Sequence, residues 1–128
     1  MLDWDSPRYL EAHFAIPMSG AILQMVNPRL PVDHIRAVLR DTGARVLLCH
    51  RDFAPLVAAA FGDVDPFAAR LTLADDPAVD EYEALLAKHR GNFAFETFDE
   101  NSVATLFHTS GTTGTPKAVS YTHRKLVL

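Results

Sequence analysis

The sequence predicts an α/β fold: a largely parallel sheet with flanking helices, ending in a strand–loop–strand hairpin. Three observations carry this. Short apolar or β-branched runs alternate with stretches of helical periodicity along residues 1–89. The connections are long enough for right-handed crossovers between parallel strands. Near the end, two strand-like runs flank a loop made almost wholly of Thr, Ser and Gly.

In chain order, the sequence starts inside what looks like a strand. Ser6-Pro7 is a helix start, with a hydroxyl to cap the first turn and proline at its first position. Tyr9, Leu10, His13, Phe14 and Pro17 then fall on one face, and Gly20 ends the helix. Trp4 and Tyr9 are expected to pack into the core. Ala21 to Val26 reads as a buried strand and Asn27-Pro28 as a turn. Pro31 to Thr42 is the clearest amphipathic helix, with Ile35, Val38, Leu39 and Thr42 at helical spacing and Gly43 as the stop. Its start lacks a capping side chain, a loss of about 1 kcal/mol. Arg45 to Cys49 is the next strand, and Asp52 is expected to cap a helix running to Phe61. Gly62 to Pro66 is a loop, Arg70 to Ala74 a short strand, and Asp80 to His89 a helix with Tyr82, Leu85, Leu86 and His89 on one side. The division expected is βα repeats over 1–89, a connecting segment over 90–101, and a phosphate-binding hairpin over 102–123.

Composition excludes several classes. The chain has 128 residues, 48% hydrophobic and 22% charged, as in ordinary soluble domains. A net charge of −4 offers no basic surface for nucleic acid. The apolar region from Phe14 to Val26 is broken by Pro17 and Gly20 and is too short to span a bilayer, so no integral membrane segment is expected. The single cysteine, Cys49, lies in an apolar run and reads as a buried, inert thiol in a cytoplasmic protein. The six histidines show no metal-ligand spacing, and no metal-binding residue is assigned.

The hairpin holds the chemistry. Val103 to Phe107 is apolar, then Thr109 to Gly114 contains only Thr, Ser and Gly. Such a loop has little to bury, but its hydroxyls and accessible backbone N–H groups can converge on phosphate oxygens. Lys117 adds a positive charge, and Asn101 to Leu128 contains no Asp or Glu to compete with it. The nucleotide loop G-x-x-x-x-G-K-[ST] fits poorly: counted from Gly111, its second glycine is Pro116 and its magnesium-binding hydroxyl is Ala118. That motif also leads into a helix, whereas Ala118 to Thr122 alternates like a strand. A mere surface turn does not account for one lysine in a Thr/Gly loop between two strands. His108, just before the loop, reads as a packed or solvated histidine, and Ser110 has no neighbouring base to make it a nucleophile.

Thr109-Ser-Gly-Thr-Thr-Gly-Thr-Pro-Lys117 resembles the phosphate-binding signature of adenylate-forming (AMP-binding) enzymes, departing only where Ala118 replaces the commonest glycine. Leu2-Asp-Trp-Asp-Ser6, Arg8-Tyr-Leu-Glu11, Val26-Asn-Pro-Arg-Leu30 and Thr122-His-Arg-Lys-Leu-Val-Leu128 are similar to the fatty acyl-CoA synthetase branch. The resemblance implies part of the large N-terminal domain, truncated at both ends, of an enzyme that converts a carboxylic acid and ATP to an acyl-adenylate and then to a coenzyme A thioester. Thr109, Ser110, Gly111, Thr112, Thr113, Gly114 and Lys117 would bind the ATP phosphates, and Lys117 would also be catalytic. Mg2+ and coenzyme A are implied as well, with a fatty acid as the substrate class. The resemblance admits a homodimer of the full-length parent. The motifs for adenine, ribose, magnesium and the adenylation lysine would lie beyond Leu128, so the isolated chain is expected to be inactive. Two alternatives stay open: another adenylate-forming enzyme, such as a peptide-synthetase adenylation domain, and a non-catalytic nucleotide-binding module.

Overall fold

A computed structural model describes residues 1–89, 91–95, 97–109 and 116–128. The chain divides into two compact units, the first made of Met1–Trp4 and Asn27–Asn92, the second of Asp5–Val26 and Phe93–Leu128.

In the first unit, α2 (Val32–Asp41) follows the helix α1 (Pro7–Met18) and strand β1 (Leu23–Gln24) of the second unit in chain order. Ile35, Val38 and Leu39 form its buried stripe, as their spacing requires. Pro31 makes no side-chain cap, but Asp33 in the first turn complements the helix dipole and pairs with Arg36 at 3.0 Å. The helix stops at Gly43, whose φ of 61° suits only glycine. Strand β2 (Val46–His50) pairs in parallel with β3 (Ala69–Leu73), from Val46↔Ala69 to His50↔Leu73. Leu2 bridges Cys49 on the other side of β2: its N–H donates to the Leu48 carbonyl and its carbonyl accepts from the His50 N–H, both at 2.8 Å.

Between β2 and β3 lie a 3₁₀ turn (Arg51–Phe53) and α3 (Ala54–Phe61). Asp52 does not cap α3. It sits within the 3₁₀ turn, where its backbone N–H donates to His50 Nδ1 at 3.3 Å and its carboxylate accepts from the Trp4 indole at 2.9 Å. That hydrogen bond holds Trp4 at the surface, 45% exposed and tilted against Phe53, rather than in the core. Arg36 of α2 donates to the Ala59 and Ala60 carbonyls at the end of α3, filling acceptors the helix leaves open. Ile35, Leu47, Val57 and Leu73 are almost wholly buried and form this unit's core with Leu2. Helix α4 (Glu81–Lys88) is capped by Asp80, and none of its residues is buried, including the expected face of Tyr82, Leu85 and Leu86.

In the second unit, α1 (Pro7–Met18) starts as expected, with Ser6 Oγ accepting from the Tyr9 N–H at 3.2 Å. Its buried residues are Ala12 and Pro17, while Leu10 and Phe14 are 62% and 60% exposed. The helix packs on β1 (Leu23–Gln24), and small side chains allow that approach. Of the apolar stripe read from spacing, Pro17 alone is buried. Among the described residues, β1, β4 (Val103–Thr109) and β5 (Lys117–Thr122) form a sheet in the order β1-β4-β5. The β1–β4 pair is parallel and the β4–β5 pair antiparallel.

The expected α/β class is therefore found: β2–β3 and β1–β4 are parallel, and the antiparallel pair is the expected hairpin of β4 and β5, which makes β1-β4-β5 a mixed sheet. Only residues 110–116 join β4 to β5, too few for a crossover, so the chain must turn back beside itself.

Candidate functional site

The antiparallel register of β4 and β5 decides which side chains share a face. Thr109↔Lys117, Phe107↔Val119 and Thr105↔Tyr121 are opposite pairs, with an irregularity between Val103 and Thr105. Because strand side chains alternate, Thr109, Phe107, Lys117, Val119 and Tyr121 lie on one face and His108 and Ala118 on the other. Phe107 and Tyr121 stack diagonally, ring centroids 5.4 Å apart and planes 26° from parallel. A slip by one residue would break this stack and send Lys117 to the far face, so the aromatic pair helps hold the register.

Two further contacts steady the hairpin. Its first strand is the centre of the sheet: β1 pairs Leu23↔Thr105 and Gln24↔Leu106, and the Met25 N–H donates to the Leu106 carbonyl at 2.9 Å. At the base, α5 (His123–Val127) is tied to the turn that precedes β4. The His123 N–H donates to the Ser102 carbonyl at 3.1 Å, and the Arg124 N–H to the Glu100 carbonyl at 2.8 Å. Arg124 Nη1 also meets Glu100 Oε1 at 2.6 Å, an exposed pair of modest worth beside the backbone bonds. Thr122 caps α5 by accepting from the Lys125 N–H at 3.3 Å. Sequence reasoning missed this clasp. Its local signal is the Asx turn of Asp99, whose carboxylate accepts from the Asn101 N–H at 2.8 Å.

Of the predicted site residues, Thr109 and Lys117 are both exposed and stand opposite each other at the open end of the hairpin. Ser110, Gly111, Thr112, Thr113 and Gly114 lie outside the described residues. Among the described residues Lys117 has no carboxylate partner, and Arg124 at the base is matched by Glu100, so unpaired positive charge remains at the hairpin's open end. An exposed ammonium beside a hydroxyl suits a solvated polyanion. His108 projects to the other face of β4 and does not join this pair. Burial pushes the Cys49 thiol up to about 11, which leaves it protonated and chemically quiet.

Among the described residues no group of three or more His, Cys, Asp or Glu side chains is placed to hold a metal ion. No described helix is long and apolar enough to cross a membrane.

Comparison with known proteins extends this geometry to a family. The chain is similar to the medium-chain-fatty-acid–CoA ligase of Ectopseudomonas oleovorans, 32% identical over 98% of this chain and 24% of the ligase. It is also similar to the long-chain-fatty-acid–CoA ligase of Thermus thermophilus, 36% identical over 94% of this chain and 22% of that enzyme. It thus spans about a quarter of the length of these curated relatives. Its fold superposes on the anthranilate CoA ligase AuaEII, solved in complex with anthranoyl-AMP, with a TM-score of 0.83 and 24% identity over 96% of this chain and 23% of that one. Residues 1–128 match the AMP-binding enzyme family from end to end, and the chain belongs to that family.

Proposed function

We propose that this chain is the phosphate-binding part of an ATP-dependent acid–thiol ligase, an AMP-forming acyl-CoA synthetase acting on fatty acids. The observation that carries the reading is the Thr109↔Lys117 pair at the mouth of a Thr/Gly loop in a chain of the AMP-binding family. The names of its relatives, medium-chain and long-chain fatty acid–CoA ligases, supply the substrate class.

A carboxylate oxygen attacks the α-phosphorus of ATP, the bond to the β-phosphate oxygen breaks, and pyrophosphate leaves. In the second step the sulfur of coenzyme A attacks the acyl carbon and AMP departs. Negative charge grows on the leaving pyrophosphate during the first step. Backbone N–H groups and hydroxyls of Thr109, Ser110, Gly111, Thr112, Thr113 and Gly114 would hold its oxygens. The Lys117 ammonium would meet the developing charge, acting by position and electrostatics rather than by covalent attack. A lysine suits this task because it is a point charge on a flexible stem and can follow the phosphates. Magnesium is expected with the triphosphate from the family resemblance, and no residue of this chain is assigned to it.

In this reading residues 1–89 are βα scaffold, 90–101 connect, and 102–123 are the phosphate-binding hairpin. The full-length protein is read as cytoplasmic, and the family resemblance admits a homodimer. The test is fatty-acid-dependent ATP–pyrophosphate exchange by the full-length protein, followed by thioester formation on adding coenzyme A. Exchange that requires an amino acid and a carrier domain would replace the acyl-CoA reading with a peptide-synthetase one. ATP binding without any exchange would leave only a nucleotide-binding module.

A further inference from the structure

Strand β3 has two edges. One pairs with β2 along its whole length. The other turns N–H groups outward at alternate residues, which is a template for an added strand. Two N–H groups on that side are already taken, one within β3 and one just past its end. The Thr72 N–H donates to Glu81 Oε2 at 2.6 Å, and the Ala74 N–H donates to Asp80 Oδ2 at 3.3 Å. Thr72 and Ala74 are two residues apart, so both N–H groups leave the same side of the strand.

Both acceptors come from the start of α4. Asp80 is buried, and its carboxylate works in two directions: Oδ2 meets the strand, while Oδ1 accepts from the Tyr82 N–H at 2.9 Å and the Glu83 N–H at 3.1 Å. The connection is short and itself shaped by an Asx turn, with Asp76 Oδ1 accepting from the Ala78 N–H at 3.0 Å and the Asp76 carbonyl from the Val79 N–H at 3.1 Å. Helix capping and edge coverage thus meet in Asp80, and Glu81 serves the edge alone. The opposite side of β2 holds Leu2.

We propose that Asp80 and Glu81 form an edge lock that closes the C-terminal end of β3 against strand addition. β3 is then the outer boundary of its sheet, and a second copy of this chain cannot pair along that end of it. The lock acts by occupying the N–H groups an incoming strand would need, a side-chain counterpart of the charged residues that blunt exposed edges. It is independent of the catalytic reading.

The test uses the full-length protein with Glu81→Ala and Asp80→Asn, alone and together. Asparagine retains an oxygen for the helix cap, and Glu81 takes no part in that cap, so the variants should fold. Residue-resolved hydrogen exchange should show the Thr72 and Ala74 amides protected in the unaltered protein and about tenfold or more faster in the double variant. Leu71 and Leu73, whose N–H groups alternate towards β2, should keep their rates. Sedimentation velocity should show the double variant forming assemblies larger than those of the unaltered protein. Unchanged exchange at Thr72 and Ala74 would overturn the proposal. So would equal acceleration at Leu71 and Leu73, or exchange that rises without any larger assembly.

Discussion

Replacing Lys117 with alanine in the full-length protein isolates the charge from the fold. The side chain is exposed, has no carboxylate partner among the described residues, and sits at the last register pair of β4 and β5. Strand pairing runs through the backbone and the Phe107–Tyr121 stack, so the hairpin should survive truncation. An ammonium about 4 Å from a phosphate oxygen is worth about 4 kcal/mol at the dielectric of a protein surface and about 1 kcal/mol in bulk water. The exposure of Lys117 places it between these limits. An intermediate value of about 2 kcal/mol corresponds to a rate loss of roughly thirtyfold, and the expected loss is greater than about tenfold. The assay is ATP–pyrophosphate exchange, with kcat and KM for ATP separated. If the charge acts on the leaving group, kcat falls, whereas a rise in KM alone would mean equal binding of ground and transition states. Lys117→Arg should recover part of the rate, because it restores charge without the compact ammonium geometry. Exchange kinetics unchanged by Lys117→Ala would refute the role, and a loss of thermal stability equal to the loss of rate would show that the side chain served the fold instead.

Three other outcomes are expected. Ile35→Ala empties a fully buried position on α2 and should lower stability by about 2–5 kcal/mol, read as a shift in the urea midpoint of the full-length protein. Asp65 is held below the usual carboxylate range by hydrogen bonding to the Arg70 side chain and the Phe67 N–H, and Glu81 by hydrogen bonds from the Thr72 backbone and side chain. Since both folded values are depressed, their stabilisation is complete above the ordinary carboxylate range and is lost as pH falls through the lowered values; Asp65→Asn with Glu81→Gln should flatten that acid limb of a stability–pH curve. Cys49 should resist a maleimide at neutral pH in the native protein and react once the chain is unfolded, because burial disfavours its thiolate.

The parts of the fold that could be read from residue order are those set by local constraints. Gly20, Gly43 and Gly62 were expected as stops or loop positions, and each has a positive φ that other residues seldom adopt. The strand after Lys117 was visible in the alternation of Ala118 to Thr122, and this separated the hairpin from a loop-to-helix nucleotide motif. What could not be read depends on distant partners. Trp4 looked like a core residue until Asp52, 48 positions away, took its indole N–H. Asp52 is the local exception: His50, two residues before it, supplies the capping nitrogen of a 3₁₀ turn that precedes α3. On α1, spacing identified an apolar stripe, but spacing cannot choose between that stripe and the small-residue face that packs on β1.

The candidate site divides in the same way. Its chemistry was local: hydroxyls, glycines and a lysine within one stretch, with no acid nearby. Its geometry was not, because a strand-like pattern on each side of a loop leaves the register free. The register comes from side chains outside the signature. Phe107 stacks on Tyr121, β1 fixes the far side of β4, and the Glu100–Ser102 turn holds the start of α5. Shifting β5 by one residue would leave every signature residue in place in the sequence and yet turn Lys117 away from Thr109. In the proposed reading the signature holds the phosphates, while Phe107, Tyr121, Leu23 and the clasp at the base bring its hydroxyl and its charge onto one face.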